Sequence, residues 1–199
     1  MMNLAEVRKN VGYHFTRPLV QFLARTRVTP NALTWFGFLL SIVATALIVT
    51  EQLLAAGIMV LVAGFFDMLD GALARHTNQA TRFGGILDAT LDRLAESLLL
   101  LGTLVLFARE PSFIGIVLAG VALPSSLMVS YTRARGEALG LNCKAGVFTR
   151  PERVIILALG LLLSNIEYAL IVALGIIVLF SIFTVCQRLI NIRSQLKNA

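Results

Sequence analysis

The sequence has little charge. Charged residues make up 14% of the 199 residues, whereas 57% are hydrophobic. A soluble domain carries roughly 25% charged residues, so this chain has too few of them to cover a surface that faces water. The composition excludes a soluble globular protein and predicts an integral membrane protein. In such a protein the net charge of +6 indicates orientation and contact with membrane lipids, and we expect no nucleic acid partner.

Cysteine and histidine are also scarce. The chain has two of each, namely Cys143, Cys186, His14 and His76. They are too few and too far apart for a zinc site, a haem site or a disulfide framework, so we expect free thiols. We expect no signal peptide either, because the first long apolar run begins near Ala32 and no small-residue cleavage site follows it.

Apolar runs of about 20 residues are typical of membrane-spanning helices. The runs lie at residues 33–50, 53–75, 83–107, 113–131, 154–163 and 168–187. The fifth run is short, and we expect residues 150–153 to lengthen its helix. Six spans place nearly all basic residues on one face, which the positive-inside rule assigns to the cytosol together with both termini. The predicted fold is therefore all-α with six transmembrane helices, in the plasma membrane.

The first 30 residues follow a different pattern. Apolar residues recur there at helical spacing, with arginine and lysine between them. This arrangement is typical of a basic amphipathic helix that lies in the membrane interface, although a helix that binds a partner protein is an alternative. We predict an N-terminal juxtamembrane helix in residues 1–30 and a six-span domain in residues 31–199.

Four aspartates interrupt two neighbouring apolar runs. Asp67 and Asp70 are three residues apart, and Asp88 and Asp92 are four apart, so each pair shares one face of its helix. The loop between the runs is short, which makes the helices antiparallel neighbours and lets the pairs converge. Because a charge inside a span costs roughly 2.5–3.5 kcal/mol, four carboxylates at one point predict a site for one or two divalent cations, either Mg²⁺ or Mn²⁺.

Carboxylates within a membrane also form ion pathways, so an ion transporter is an alternative of another class. Other residues near the aspartates favour phosphate chemistry. Arg75 suits an anionic ligand, and Gly71 and Gly84 allow a ligand or a partner helix to approach closely. Metal ions and an arginine that face one cavity indicate phosphoryl transfer.

The residues from Asp67 to Asp92 read Asp-x₂-Asp-Gly-x₂-Ala-Arg-x₈-Gly-x₃-Asp-x₃-Asp. This pattern resembles the signature of the CDP-alcohol phosphotransferases. The resemblance implies that an alcohol hydroxyl attacks the β-phosphorus of a CDP-lipid such as CDP-diacylglycerol and displaces CMP. It implies two metal ions bound by Asp67, Asp70, Asp88 and Asp92, with Asp92 as general base. Implied contacts with the CDP group are Pro30, Asn31, Ala32, Leu33, Gly71, Arg75 and Thr81.

The segments 130–137 and 150–153 resemble those of the branch that makes phosphatidylinositol phosphate or archaetidylinositol phosphate. This implies inositol 1-phosphate as the acceptor, with its phosphate bound by Arg133, Arg153 and Arg188, and Arg135 as a further candidate. Gly136 and Thr149 depart from the pattern of that branch. Glycerol 3-phosphate, the acceptor of phosphatidylglycerophosphate synthases, is the alternative. The family resemblance also implies a homodimer.

Overall fold

The computed structural model of the protein describes residues 19–26, 28–143 and 146–197. Within these ranges the chain is helical and has no strand, which confirms the all-α prediction. Residues 19–24 are helical and are called α1. The helices that follow are α2 (Pro30–Val49), α3 (Leu53–His76), α4 (Arg82–Arg109), α5 (Phe113–Ala138), α6 (Arg150–Leu162) and α7 (Ala169–Lys197).

Most of the predicted N-terminal amphipathic helix lies outside the described residues, which include only 19–26 and 28–30 of that segment. Within α1, Val20 is buried and packs in a small apolar cluster with Leu33 of α2 and with Leu69 and Leu73 of α3. Phe22 is largely exposed. The described part of this segment therefore lies against the same ends of α2 and α3 that carry the signature residues.

Four of the described helices, α2, α3, α5 and α7, are long and apolar enough to cross a membrane. Helix α4 has 28 residues but carries acidic and basic side chains in its first half, and α6 has only 13 residues. Helices α5 and α7 extend furthest beyond the predicted apolar runs, by seven and ten residues at their C-termini. Helix α5 continues to Ala138, and its last turns contain the ion pair between Arg133 and Glu137, which stabilises helix where the sequence is no longer apolar.

Threonine caps begin three of the helices. Thr29 accepts a hydrogen bond from the Ala32 amide, and Thr81 accepts one from the Gly84 amide. The Thr149 amide donates to the Glu152 carboxylate, 2.8 Å away, as in a capping box. Thr149 thus has a local role at a position where the sequence departs from the inositol phosphate branch. Because successive helices are antiparallel, the N-termini of α2, α4 and α6 lie at one end of the molecule.

Helices α2 to α7 close into a ring. The backbone contacts that form the ring join α2 with α3, α3 with α6, α6 with α7, α7 with α5, α5 with α4, and α4 with α2. Small residues permit close approach at several of these contacts. A side chain at Gly160 of α6, for example, would meet Ala173 of α7. Large apolar side chains such as Leu39, Leu54 and Leu179 are exposed on the outside, as expected for a surface that faces lipid.

Helix α6 is shorter than its neighbours. Its C-terminus reaches the same end of the molecule as theirs, whereas its N-terminus does not reach the opposite end. With 13 residues it is about 20 Å long at 1.5 Å per residue. Just beyond its C-terminus, Ser164 and Asn165 lie near Glu51 and Gln52 of the turn that joins α2 and α3. Its first residue, Arg150, contacts Asp67, which is nine residues before the last residue of α3, His76. The ring is therefore recessed at the end where the caps lie.

Candidate active site

Three of the four aspartates meet at the recessed end. One carboxylate oxygen each from Asp67, Asp70 and Asp88 lies within 4.8 Å of the others. Asp70 is buried, and the Thr34 hydroxyl of α2 lies beside its carboxylate. Its Oδ2 atom has no hydrogen-bond partner among the described residues. A buried carboxylate oxygen that lacks a donor fits the ligand of a cation, so these residues suit a divalent metal.

The fourth aspartate, Asp92, lies beside this group and contacts an arginine. Its Oδ1 atom is 2.7 Å from Nη1 of Arg150, and the same nitrogen is 2.8 Å from Oδ2 of Asp67. Arg150 therefore bridges α6 to both α3 and α4. From the sequence, Arg150 was expected to lengthen a short helix and to belong to the segment 150–153 that resembles the inositol phosphate branch. Its contact with the aspartates was not predicted. The single available signal is its position three residues before Arg153, on the same face of α6.

Several predicted contacts with the CDP group lie together at the start of α2 and α4. A Cβ atom on Gly84 would be 3.0 Å from Oγ1 of Thr81 and 3.2 Å from Oδ1 of Asn31, so these two side chains flank the Gly84 backbone. On α3, the guanidinium of Arg75 lies over Gly71, where a Cβ atom would be 3.3 Å from Nη1. Two helix N-termini and an arginine at one end suit an anionic diphosphate.

The remaining predicted contacts with CDP are in the first turn of α2. Pro30 is its first residue, and Ala32, which follows Asn31, is exposed. Leu33 is buried in the apolar cluster with α1 and α3, so its side chain holds α2 in place. The structure thus places the backbone of this turn, and the side chain of Asn31, at the predicted nucleotide end of the site.

The three arginines predicted to bind the acceptor also lie near one another. Arg188 of α7 is buried, donates a hydrogen bond to the Val129 carbonyl of α5, and interacts electrostatically with Arg133 and Arg153. The loop residue Gly146, with φ of +131°, passes over Arg188, since a Cβ atom there would be 2.9 Å from its Nε. Arg135 is exposed and lies outside this group.

A buried ion pair that the sequence analysis did not identify joins α4 to α6. Arg153 contacts Glu96 through two hydrogen bonds, from Nε to Oε1 at 2.5 Å and from Nη2 to Oε2 at 2.8 Å. Glu96 follows Asp88 and Asp92 at spacings of eight and four residues, so all three acids share one face of α4. That spacing was visible in the sequence, but the partner of Glu96 was not.

A cavity of about 750 Å³ opens beside the acids between α2, α3, α4 and α6. Its charged lining residues are Asp67, Asp92, Glu96, Arg150 and Glu152, and Thr34 and Ser41 add hydroxyl groups. Most of the remaining lining is apolar, including Val60 and Leu99. The cavity joins a charged site to an apolar space within the ring. Such a space suits a ligand that has an ionic group and a hydrocarbon part.

At the other predicted departure from the inositol phosphate branch, Gly136 of α5 is buried against the side chain of Cys143. Any larger residue would displace Cys143, because a Cβ atom at position 136 would overlap its sulfur atom. Cys143 is a free, buried thiol, as predicted. The glycine therefore leaves room for Cys143 of the chain that folds back after α5.

Comparison with known proteins agrees with this geometry. The model of the CDP-alcohol phosphatidyltransferase family matches residues 27–186. The chain is 37% identical to an archaetidylinositol phosphate synthase from Methanothermobacter thermautotrophicus over 175 residues, which cover 87% of each protein. It is also similar to the crystal structure of phosphatidylinositol phosphate synthase from Mycobacterium tuberculosis with CDP-DAG bound, with a TM-score of 0.82 and 33% identity over 90% of this chain and 94% of that chain.

A second crystal structure of the mycobacterial synthase, in complex with manganese and citrate, has a TM-score of 0.80 and 34% identity over 89% of this chain and 88% of that chain. These relatives are membrane enzymes of one class, and the matched region includes every residue of the signature and nearly all of the helical ring. The chain is a membrane enzyme and belongs to the CDP-alcohol phosphatidyltransferase family.

Proposed function

We propose that the protein transfers the phosphatidyl group of CDP-diacylglycerol to inositol 1-phosphate, which yields phosphatidylinositol phosphate and CMP. The observation that carries the proposal is that an acidic group, Asp67, Asp70 and Asp88, and a basic group, Arg133, Arg153 and Arg188, lie at the same end of one helical ring. The first suits a metal and a diphosphate, and the second suits a phosphorylated acceptor. The names of the relatives support both substrates.

Asp67, Asp70, Asp88 and Asp92 would hold two ions of Mg²⁺ or Mn²⁺ at the donor's diphosphate. When bound, such ions offset charge on the phosphoryl oxygens and on the departing CMP. The unpaired Oδ2 atom of Asp70 supports metal binding, and so does the manganese complex of the mycobacterial synthase. Asn31, Gly71, Arg75 and Thr81, with the backbone of residues 30–33, would bind the CDP group.

Asp92 would accept the proton from the attacking hydroxyl of the acceptor. A bond then forms between that oxygen and the phosphorus that bears the lipid, and the bond from this phosphorus to the oxygen of CMP breaks. Asp92 suits this role because it faces the cavity next to the carboxylate cluster. Arg150, which contacts Asp92 and Asp67, would keep the base in position and offset the charge of the acids.

The arginines would bind the phosphate of inositol 1-phosphate. A phosphate monoester carries nearly two negative charges, and guanidinium groups bind its oxygens through forked hydrogen bonds. Glycerol 3-phosphate would use the same cations, so the charge of the site does not discriminate between the two acceptors. The inositol phosphate synthases among the relatives favour inositol 1-phosphate.

We also propose that α4 and α6 cross the membrane with the four apolar helices, which gives six spans. The arrangement would place both termini and the active site on the cytosolic side of the plasma membrane, since nearly all basic residues then lie on that side. Residues 1–30 would form the interfacial segment and residues 31–199 the six-span domain. A homodimer is proposed from family membership, and the exposed apolar surface of the ring is compatible with it.

One assay tests the reaction and separates the acceptors. Purified protein in detergent is incubated with CDP-diacylglycerol and Mn²⁺ or Mg²⁺, and CMP release is measured with inositol 1-phosphate, with glycerol 3-phosphate and without acceptor. We expect metal-dependent release with inositol 1-phosphate. Release with glycerol 3-phosphate alone would refute the acceptor, and no metal-dependent release with either alcohol would refute the enzyme. Cation flux into liposomes without CDP-lipid would favour the ion transporter.

A further inference from the structure

The ion pair between Glu96 and Arg153 is the most deeply buried charged contact among the described residues. The side chains are 8% and 1% exposed, and their two nearly parallel hydrogen bonds use Nε and Nη2 of the guanidinium. This two-point contact fixes both the position and the plane of the group, which a single hydrogen bond does not. Arg153 therefore has one orientation, and Glu96 sets it.

The third nitrogen of Arg153 is left without a partner. Its Nη1 atom is buried and has no hydrogen bond among the described residues. A buried, unpaired donor of a charged group carries a large desolvation cost, and the oxygen of an anionic ligand would remove that cost. Arg153 interacts electrostatically with Arg188, as does Arg133. The free Nη1 thus lies in a group of three arginines, in which Arg153 pairs with Glu96 and Arg133 with Glu137. An anion would further offset the repulsion between the three arginines.

The pair is also aligned with the proposed base. Glu96 lies one turn after Asp92 on α4, and Arg153 lies one turn after Arg150 on α6, so the helices meet in two successive ion pairs. Asp92 and Glu96 line the same cavity. The arginine that Glu96 orients is thereby held at a fixed distance from Asp92, about one helical turn along α4.

We propose that Glu96 is a positioning residue. It orients Arg153 so that the free Nη1 atom of the arginine binds the phosphate of the acceptor at a fixed distance from Asp92, the proposed base. This inference rests on the proposed function, because it requires Arg153 to bind the acceptor. Glu96 acts through Arg153, which occupies both of its carboxylate oxygens. Its loss should therefore weaken use of the acceptor while leaving the binding of the CDP-lipid unchanged.

The first test is Glu96→Gln, which keeps the shape of the side chain but replaces one acceptor oxygen with a donor that opposes the arginine. We expect the KM for inositol 1-phosphate to rise about tenfold to a hundredfold, with the KM for CDP-diacylglycerol changed by less than about twofold. Glu96→Asp, which keeps the charge, should restore part of the loss. Thr103→Val is the matched control, because Thr103 is fully buried on α4 and lies outside the site, and we expect both KM values to be unchanged.

A double-mutant cycle with Arg153→Met shows whether Glu96 acts through Arg153. The double variant Glu96→Gln/Arg153→Met buries a neutral pair, which proteins tolerate better than one unpaired charge. We expect Glu96→Gln to have no further effect on the acceptor KM in the Arg153→Met background. Independent, multiplicative effects on the acceptor KM would overturn the inference, and so would an equal rise in both KM values for Glu96→Gln.

Failure of the inference and failure of the proposed function give different results. If Arg153→Met raises the acceptor KM but Glu96→Gln does not, the arginine binds the acceptor and Glu96 does not position it. If Arg153→Met leaves the acceptor KM unchanged, the assignment of Arg153 in the proposed function is wrong. Thermal stabilisation of each purified variant by CDP-diacylglycerol with Mn²⁺, and separately by inositol 1-phosphate, provides a readout that does not depend on turnover, and a variant stabilised by the CDP-lipid is folded.

Discussion

Arg150→Met tests whether Arg150 and the proposed metal ions compensate the same carboxylates. Arg150 contacts Asp67 and Asp92, and these side chains are 20%, 28% and 20% exposed. In exposure these ion pairs are intermediate between two known cases. A surface pair is worth about 0–1 kcal/mol, and disruption of a buried pair costs about 3–5 kcal/mol. We therefore expect the variant to lose about 2 kcal/mol of unfolding free energy without metal. For a chain of this size that is a fall of about 4–8 °C in Tm.

The same measurement with metal present provides the decisive comparison. Divalent cations at the aspartates would supply the positive charge that the variant lacks, so we expect the fall in Tm to shrink to less than about half in Mn²⁺. Tm is measured for the purified protein in detergent, in EDTA and in Mn²⁺. The control is Arg133→Met, which breaks an exposed pair with Glu137 and should cost less than about 1 kcal/mol in both conditions. An equal fall in EDTA and in Mn²⁺ for Arg150→Met would refute the reasoning.

Three further changes probe other parts of the site and the ring. Asp92→Asn should abolish CMP release but retain stabilisation by CDP-diacylglycerol, and normal turnover would contradict the role of the base. Gly84→Val should raise the KM for CDP-diacylglycerol about tenfold or more, with little change for inositol 1-phosphate, because the new side chain meets Thr81 and Asn31. Gly160→Leu should cost about 1–3 kcal/mol through overpacking against α7, measured as a lower Tm, and an unchanged Tm would contradict the close contact.

The sequence was sufficient to predict where the helices lie and how the aspartates meet. The apolar runs correspond to α2 to α7, and the expected extension of the fifth run to Arg150 is confirmed. The short loop between α3 and α4 requires those helices to be antiparallel neighbours, so the convergence of Asp67, Asp70 and Asp88 follows from local geometry. The number of spans is harder to predict, because α4 carries the charges of the site and α6 is short.

The contacts of α6 could not be predicted from the sequence. Arg150 is 83 residues from Asp67, and Arg153 is 57 residues from Glu96. These pairs depend on how α6 packs within the ring, which no periodicity within one helix determines. The sequence grouped Asp92 with the other three aspartates but gave no indication that Arg150 would bridge Asp92 and Asp67. Long-range ion pairs of this kind are set by tertiary packing, and that information is absent from local spacing.

The shortness of α6 has a consequence for how a lipid substrate is handled. Arg150 meets α3 nine residues before the end of that helix, about 14 Å along its axis. The acids therefore lie below the end of α3, in the recess of the ring. A lipid that reacts there need not rise out of the bilayer, and each methylene left in hydrocarbon avoids a cost of about 0.8 kcal/mol. The water-soluble acceptor instead enters from the aqueous side. Because α6 begins below the end of α3, this acceptor can reach the acids at the level of the lipid headgroups.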